Sequence, residues 1–342
     1  HHAAAGRHRA DYVTQRQMPT SQIVQTAIAT LGFAVAAMAA IHAVLNKRRP
    51  QSAFGWIAVC FTLPFAGALL YYLLGINRVR TRARKLLKEL PEPPCPTDYL
   101  GTAPPALAPL SRLGESVTGR PLMTGNRVDL LHDAAETFGA MIAAIDAAAR
   151  YVHFATYIFD GGPLGRRFAS ALAGAAARGV DVRVLLDGVG DFYSWPGIEP
   201  LLRGTGVRLA HFLPPRLLPP SLSINLRNHR KSLIVDGIVA FTGGVNVRER
   251  YVDGPAERRM TDLHCRVAGP VVTQMESVFR RDWQFATGGA PERPGKPSPP
   301  AGSSLCRVVT DGPDGELDRL TALRSEEHTS ELQSHLNLVC RL

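Results

Sequence analysis

Two uncharged apolar stretches near the N-terminus restrict this chain more than any other feature. They run from Ile23 to Leu45 and from Ala53 to Ile76. Each exceeds the roughly 20 residues that cross a hydrocarbon core about 30 Å thick, and a soluble core helix of that length without charge is unusual. The sequence therefore predicts two transmembrane helices, at about 23–45 and 53–76.

Each stretch has one alternative. The first could be a cleavable signal peptide, but its apolar run is longer than a usual signal-peptide core and basic residues follow directly at 47–49. The second contains Pro64 and Gly67, which membrane helices tolerate but which also permit a bent or re-entrant segment. Basic residues crowd after the second stretch, between Arg78 and Lys88, so the rest of the chain is expected on the cytoplasmic side.

Composition narrows the class of partner. The formal charge of +10 favours anionic partners: phospholipid headgroups, a membrane surface or nucleic acid. The five cysteines form no CxxC pair, and the sequence contains no P-loop, dinucleotide-binding fingerprint or nucleophile elbow. No cofactor is therefore predicted. No metal site is predicted either, because four histidines stand singly without metal-ligand spacing: His132, His153, His211 and His264.

Linkers and biased segments divide the chain. Residues 1–19 are an extension, and the part before Met18 is interpreted as outside the native protein. Further boundaries follow from Pro-rich and Gly-rich composition. The predicted segments are a membrane hairpin (20–77), a basic flank and Pro-rich linker (78–117), a catalytic domain (118–287), a second linker (288–304), the start of a further domain (305–323) and a tail resembling a translated sequencing adapter (324–342).

The domain from residue 118 alternates strand and helix patterns. We predict helices at 128–150, 164–178 and 270–285, and strands at 151–159, 180–186, 207–212 and from Lys231 onward. Strands alternating with helices of this length are typical of an α/β sandwich with a largely parallel sheet.

The segment Asn228 to Asn246 carries the chemistry. Side chains alternate along a strand, so His229 and Lys231 are predicted on one face and Arg230 on the other. Asp236 and Gly237, between two apolar runs, predict a hairpin turn, which gives Asp236 a structural role within the motif.

An imidazole beside a cation suits metal-free substitution at a phosphodiester. His229 would attack phosphorus while Lys231 and Asn246 donate to the non-bridging oxygens. Gly243 and Gly244 form a tight turn that could aim N–H groups at the anion, and they are predicted, with Asn228, to contact substrate. Asp262 is the candidate acceptor that fixes the other nitrogen of His229.

This pattern resembles the HxKx4D signature of the phospholipase D superfamily. The match is His229, Lys231 and Asp236, followed by Gly243-Gly244-x-Asn246. Bacterial cardiolipin synthases are similar over further stretches, among them RRPQSAFGWIAVCFTLPFAGALLYYLLG, TGNRVDLLHDAAETF, VDVRVLLDGVG and DLHCRVAGPVV. The resemblance implies a phospholipase D-like α-β-α sandwich half-domain, preceded by the membrane hairpin.

The resemblance also implies an activity. Such enzymes condense two phosphatidylglycerol molecules into cardiolipin and glycerol through a phosphohistidine, at the bacterial inner membrane with a cytoplasmic catalytic domain. They carry two motifs, whose histidines act as nucleophile and general acid. This chain has one motif, so it is expected to be an N-terminal fragment that is inactive unless two copies form a homodimer. Ala155 and Thr156 stand where many relatives have an acidic residue and Tyr, so the substrate contacts there are expected to differ.

Two other functions compete with phosphatidyl transfer. One is a phosphodiesterase of the same fold that hydrolyses phospholipid or nucleic acid; the paired apolar stretches argue against nucleic acid. The other is a non-catalytic, membrane-anchored, lipid-binding half-domain. Product analysis with phosphatidylglycerol distinguishes them.

Overall fold

The computed structural model describes residues 20–47, 50–76, 97–214, 228–252, 262–290 and 295–310. The chain divides into two compact units, residues 1–76 and residues 77–342. The N-terminal extension, the basic run at 78–88, residues 311–323 and the adapter-like tail lie outside the described residues.

The N-terminal unit is a helical hairpin. Helix α1 (Thr20–Asn46) has 27 residues and is, among the described residues, the one helix long and apolar enough to cross a membrane. It packs through small side chains such as Ala36 and Ala43, while larger ones such as Phe33 are exposed. Exposed apolar side chains on a helix of membrane length are consistent with a lipid surround.

The second apolar stretch is not one helix, which corrects the prediction for 53–76. It forms α2 (Pro50–Thr62), α3 (Pro64–Leu70) and a π-helical turn (Tyr71–Gly75). Leu63 leaves the helical conformation, with φ −129° and ψ 74°, because the next residue is Pro64. Proline restricts the residue before it and supplies no N–H, so the helix bends there.

The C-terminal unit is built on one eight-stranded sheet with the order β4-β3-β2-β5-β6-β7-β1-β8. Its strands are β1 (Met123–Leu131), β2 (Tyr151–Thr156), β3 (Asp181–Asp187), β4 (Arg208–Phe212), β5 (Ser232–Val235), β6 (Val239–Gly243), β7 (His264–Ala268) and β8 (Ser304–Cys306). Strand β2 runs parallel to β3, and β3 to β4.

All other neighbouring pairs in this sheet are antiparallel, so the prediction of a largely parallel sheet was wrong. The short connection between β5 and β6 accounts for one of these pairs, since a tight turn can join only antiparallel strands. The sheet is therefore mixed, with its parallel part confined to the β2-β3-β4 side.

Helices cover both faces of the sheet, which confirms the α-β-α sandwich. The helices of this unit are α4 (Ala108–Thr118), α5 (Ala134–Asp146), α6 (Pro163–Ala177), α7 (Glu199–Leu202) and α8 (Val272–Thr287). Phe154 and Leu233 point into the core under α5 and α6, whereas Ala155 and Ile234 point into the core under α8. Adjacent residues thus serve opposite cores, as strand alternation requires.

Several element boundaries differ from the prediction. The expected helix at 128–150 begins only at Ala134, where the Asp133 side chain accepts the Glu136 N–H at 2.7 Å. Residues 128–131 instead belong to β1, where they pair with β7. The expected linker 78–117 includes most of α4. Residues 304–306 add β8 to the edge of this same sheet, and the assignment of 305–323 to a further domain stays a prediction.

Candidate active site

His229 and Lys231 lie side by side, as predicted. The Lys231 Nζ is 3.2 Å from the His229 Nδ1 and donates to the His229 carbonyl oxygen at 2.8 Å. Both residues precede β5, which begins at Ser232, so they belong to the segment that enters the strand. The ring of Tyr157 contacts His229 at a centroid distance of 4.8 Å and lies 5.7 Å from the Lys231 Nζ.

Burial adjusts the charge of both groups. Lys231 is only 5% exposed. Desolvation lowers its pKa to about 8, against the opposing charges of Asp262 and Asp187. Desolvation, followed by the charge of Lys231, also lowers the pKa of His229 below its usual range. At neutral pH the site therefore holds a neutral imidazole beside a cation, which is the combination that nucleophilic attack on an anionic phosphodiester needs.

Asp187 holds the segment before His229 and was missed by the sequence reasoning. One carboxylate oxygen accepts the N–H groups of Val189 and Gly190, at 2.9 and 3.1 Å, and the other accepts the Asn228 N–H at 2.9 Å. The side chain is almost fully buried. The available signal was an acidic residue at the carboxyl end of a buried apolar strand, where functional groups of α/β folds collect.

A buried ion pair holds the same segment from the opposite face. The Arg230 Nη1 donates to Asp282 on α8 at 2.6 Å, and the Asn228 side-chain amide donates to the same carboxylate at 2.9 Å. The prediction that Arg230 faces away from His229 is confirmed. Since the Asn228 Oδ1 also accepts the Arg230 N–H at 3.1 Å, the Asn228 side chain is engaged within the protein, and its contact with substrate stays a prediction.

Asp236 occupies the hairpin turn, as predicted, at the far end of β5 from His229. Its φ is +56°. Its carboxylate accepts the N–H groups of Ala149, Arg150 and Tyr151, each at 2.8 Å. Asp236 thus ties the turn to the start of β2. This geometry supports a structural role within the signature.

The two glycines make room for other side chains. The Gly244 N–H donates to the Leu263 carbonyl oxygen at 3.0 Å, so the prediction that Gly244 offers this group to an anion was wrong. A Cβ on Gly244 would collide with the Asp262 carboxylate, and a Cβ on Gly243 would collide with His264. At Gly243 the clash involves the backbone of Leu263 and His264, so glycine is required there, whereas at Gly244 the Asp262 side chain would have to move aside.

Asp262 and Asn246 both lie at the site. Asp262 directly precedes Leu263 and β7, and its charge raises the pKa of both His229 and Lys231. A hydrogen bond from His229 to Asp262 stays a prediction. The Asn246 Oδ1 accepts the Ile158 N–H at 3.2 Å, which fixes the backbone next to Tyr157. Its donation to a phosphate oxygen also stays a prediction.

Among the described residues, one group of side chains could hold a metal ion, although the sequence predicted none. Potential ligand atoms of Asp191, Glu199 and His211 lie within 4.8 Å of one another. The three residues come from separate elements, which is why spacing along the sequence did not reveal them. The His211 Nε2 lies 3.5 Å from the Asp191 Oδ2, so a direct contact between these two side chains accounts for their proximity equally well.

Comparison with known proteins agrees with this geometry. Residues 141–283 match the family described as cardiolipin synthase, PLD-like domain, and residues 34–75 match the phospholipase D-nuclease N-terminal family. The chain is 30% identical over 304 residues to cardiolipin synthase of Geobacillus kaustophilus, covering 85% of this chain and 60% of the relative. It is 32% identical over 298 residues to cardiolipin synthase A of Pseudomonas aeruginosa, covering 84% of this chain and 60% of the relative.

The chain thus spans about 60% of the length of the curated relatives that it matches. Among solved structures, NucT from Helicobacter pylori aligns with 47% of this chain and 98% of its own, at 17% identity and a TM-score of 0.38.

Proposed function

We propose a phosphatidyl-transfer function for this chain because it belongs to the phospholipase D-like family of cardiolipin synthases. The proposed reaction joins two phosphatidylglycerol molecules to give cardiolipin and glycerol. The observation that carries the proposal is the contact between Lys231 and His229, 3.2 Å apart, with burial favouring the neutral imidazole.

In the first step, a nitrogen of His229 attacks the phosphorus of phosphatidylglycerol. The new P–N bond forms as the bond from phosphorus to the terminal glycerol oxygen breaks, and that oxygen takes a proton from a general acid as glycerol leaves. Lys231 donates to a non-bridging oxygen, where charge accumulates in the transition state. Substrate phosphate would also favour the charged form of Lys231, whose pKa burial has lowered to about 8.

In the second step, the terminal hydroxyl of another phosphatidylglycerol attacks the phosphohistidine. The P–N bond breaks, the hydroxyl proton passes to the base left by the first step, and His229 is regenerated. Asn246 and Asp262 are proposed to orient the phosphate and the ring. If water replaces the second lipid, the same intermediate gives phosphatidic acid.

The reaction needs a general acid as well as a nucleophile. The 342 residues contain one HxKx4D motif, so we propose that this chain turns over only when a second histidine faces His229, for instance in a homodimer. We further propose that the protein is anchored in the bacterial inner membrane with the catalytic unit on the cytoplasmic side.

Product analysis tests the activity. The chain, and a form extended by a second catalytic half from a curated relative, are reconstituted with phosphatidylglycerol, and the lipids are separated. We expect cardiolipin and glycerol from the extended form, loss of both with His229→Ala, and no product from the present chain alone. Phosphatidic acid without cardiolipin would contradict transfer, and cleavage of added DNA would indicate a nuclease.

Cross-linking of the present chain, which measures the fraction that is dimeric, is the control for the experiment without the added half. Cardiolipin made by the present chain, lost in His229→Ala and proportional to its dimeric fraction, would support pairing of two copies. The same product from a strictly monomeric chain would contradict the need for a second histidine.

A further inference from the structure

A short loop beside the active site exposes three aromatic side chains. We call residues 190–197 the aromatic loop. Phe192 is 76% exposed, Tyr193 59% and Trp195 93%. Among the described residues of the C-terminal unit, these are the three most exposed large hydrophobic side chains. Such clustering on one loop marks a binding surface, since single exposed apolar residues are common but contiguous ones are not.

The backbone of the aromatic loop is firmly held although its side chains are not. The Ser194 hydroxyl accepts the Phe159 N–H at 3.2 Å, and the Gly161 N–H donates to the Pro196 carbonyl oxygen at 2.6 Å. Arg248 donates to the Tyr193 carbonyl oxygen at 2.7 Å and pairs with Asp160 at 2.9 Å. The protein therefore holds the backbone that carries these rings at the surface, which lowers the entropy cost of ordering the loop when a partner binds.

The aromatic loop is connected directly to the catalytic residues. Asp187 accepts the Gly190 N–H with one carboxylate oxygen and the Asn228 N–H, next to His229, with the other. Gly190 also packs closely against the Tyr157 carbonyl group, and the Tyr157 ring contacts His229. A surface bound to the aromatic loop is therefore next to the phosphate-handling groups.

We propose that the aromatic loop rests in the headgroup region of a lipid bilayer during catalysis. This inference depends on the proposed function, because a phosphatidylglycerol molecule keeps its acyl chains in the bilayer while its phosphate reaches His229. Trp and Tyr concentrate at membrane interfaces, where an apolar ring and a polar tip are both satisfied. The aromatic loop contains Asp191 and no basic residue, so its contact with lipid is apolar in character and independent of lipid charge.

Fluorescence quenching by brominated lipids tests the contact without relying on turnover. The full chain is reconstituted in phosphatidylcholine vesicles whose acyl chains carry bromine near the headgroup. The emission of Trp195 is obtained as the difference between the wild-type chain and Trp195→Phe, which removes the contributions of Trp56 and Trp283. We expect brominated lipid to quench the Trp195 emission, equally at low and high salt and with or without phosphatidylglycerol.

A tryptophan elsewhere on the same unit is the matched control. Ile238 is 54% exposed, on the turn at the end of β5 opposite His229. The emission that Ile238→Trp adds in a Trp195→Phe background, taken as the difference from Trp195→Phe alone, is expected to show no quenching. Equal quenching at both positions, or none at Trp195, would overturn the proposal.

Two further results would also count against it. Quenching that disappears at high salt would mean that charge, and not the aromatic rings, brings the unit to the lipid. A Trp195 emission that shifts with protein concentration and ignores bromine would assign the aromatic loop to a protein partner. Because no product is measured, a chain that makes no cardiolipin can still support the loop contact, and an active chain without quenching refutes only the loop contact.

Discussion

Three carboxylates act on the His229 segment, and a fourth holds the turn at the other end of β5. Asp187 holds the backbone before His229, and Asp282 holds the side chains of Asn228 and Arg230. Asp262 acts on His229 and Lys231 through its charge, as Asp187 also does, whereas Asp236 holds the distant turn. The residues that hold the segment in position are therefore partly different from the residues whose charge sets the pKa values of His229 and Lys231.

Replacing Asp187 or Asp282 by asparagine distinguishes the effect of charge on the His229 pKa from the effect of position. Asp187→Asn removes a negative charge that raises the pKa of His229, so that pKa is expected to fall further below its usual range. Asp282→Asn breaks a buried ion pair, which is expected to cost about 3 kcal/mol or more of folding stability. It should lower the His229 pKa less than Asp187→Asn does, because the charge of Asp187 acts directly on His229.

Histidine-selective NMR titration measures the His229 pKa in both variants, with His229→Gln used to assign the signal. Thermal unfolding measures stability in parallel. A His229 pKa that moves equally in both variants would mean that the effect comes from distorted structure, and would contradict the specific role of Asp187.

Lys231 gives the site a dependence on alkaline pH. Its pKa of about 8 means that the side chain is mainly charged below that pH and loses its charge above it. The affinity for the anionic headgroup analogue glycerophosphoglycerol is therefore expected to fall above pH 8, approaching about tenfold per pH unit for one linked proton. Calorimetric titration of the full chain measures it.

Lys231→Arg is the control for that titration. Arginine stays charged throughout this range, so its affinity for the analogue should be nearly constant with pH even if it is weaker. Wild-type affinity that stays level well above pH 8 would show that Lys231 does not supply the charge.

At the residue scale, the sequence revealed groups within one local motif and missed distant ones. His229, Lys231 and the turn position of Asp236 follow from alternation and a turn signal. Asp187 and Asp282 reach the site from β3 and α8. Contacts between residues so far apart along the chain leave no periodic pattern in the sequence. The Gly244 prediction failed because only the pairing with β7 supplies an acceptor for its N–H.

At the scale of elements, the β5–β6 hairpin gives the site its rigidity. All four residues of β5 are buried, and β5 pairs with β2 and β6. Its hairpin signal was clear in the sequence, but the alternation of strands and helices suggested a largely parallel sheet, which four further antiparallel pairs contradict. The error arose because sequence patterns indicate the type of an element more directly than its partner.

Asp236→Ala is expected to destabilise the C-terminal unit. The change leaves three N–H groups without their acceptor. It also places alanine, which has no polar side chain to stabilise the turn, at a positive φ. Bonds to a charged acceptor contribute about 1.5 kcal/mol or more each, so a loss of several kcal/mol in the free energy of unfolding is expected.

Denaturant unfolding followed by near-UV circular dichroism measures the loss. Asp129→Ala is the matched control, because Asp129 makes one exposed ion pair with Arg127, and such pairs contribute about 1 kcal/mol at most. Similar losses in both variants would contradict the role given to the turn.

At the scale of the whole molecule, an apolar hairpin and a catalytic sandwich form two units on one chain. The apolar stretches indicated the first unit, but the break at Leu63 depended on how the chain resolves Pro64, which the sequence left open. Whether the second stretch crosses the bilayer decides on which sides the two termini lie.

Protease accessibility in spheroplasts tests the predicted double crossing. If α1 and the α2–α3 segment both cross, an N-terminal tag and the C-terminal unit share the cytoplasmic side, and both are expected to be protected until the membrane is permeabilised. Cleavage of the tag with protection of the C-terminal unit would mean that the second segment bends back at Leu63. Cleavage of both would reverse the orientation.

The length of β5 explains the spacing of the signature itself. Four residues separate Lys231 from Asp236, and they are the four residues of the strand. The four-residue interval in HxKx4D is therefore the length of β5. It sets the distance along the strand between Lys231 at the active site and Asp236 at the turn. One residue more or less would turn Lys231 to the opposite side or detach Asp236 from the start of β2, so the interval tolerates exchanges of apolar side chains but no change in count.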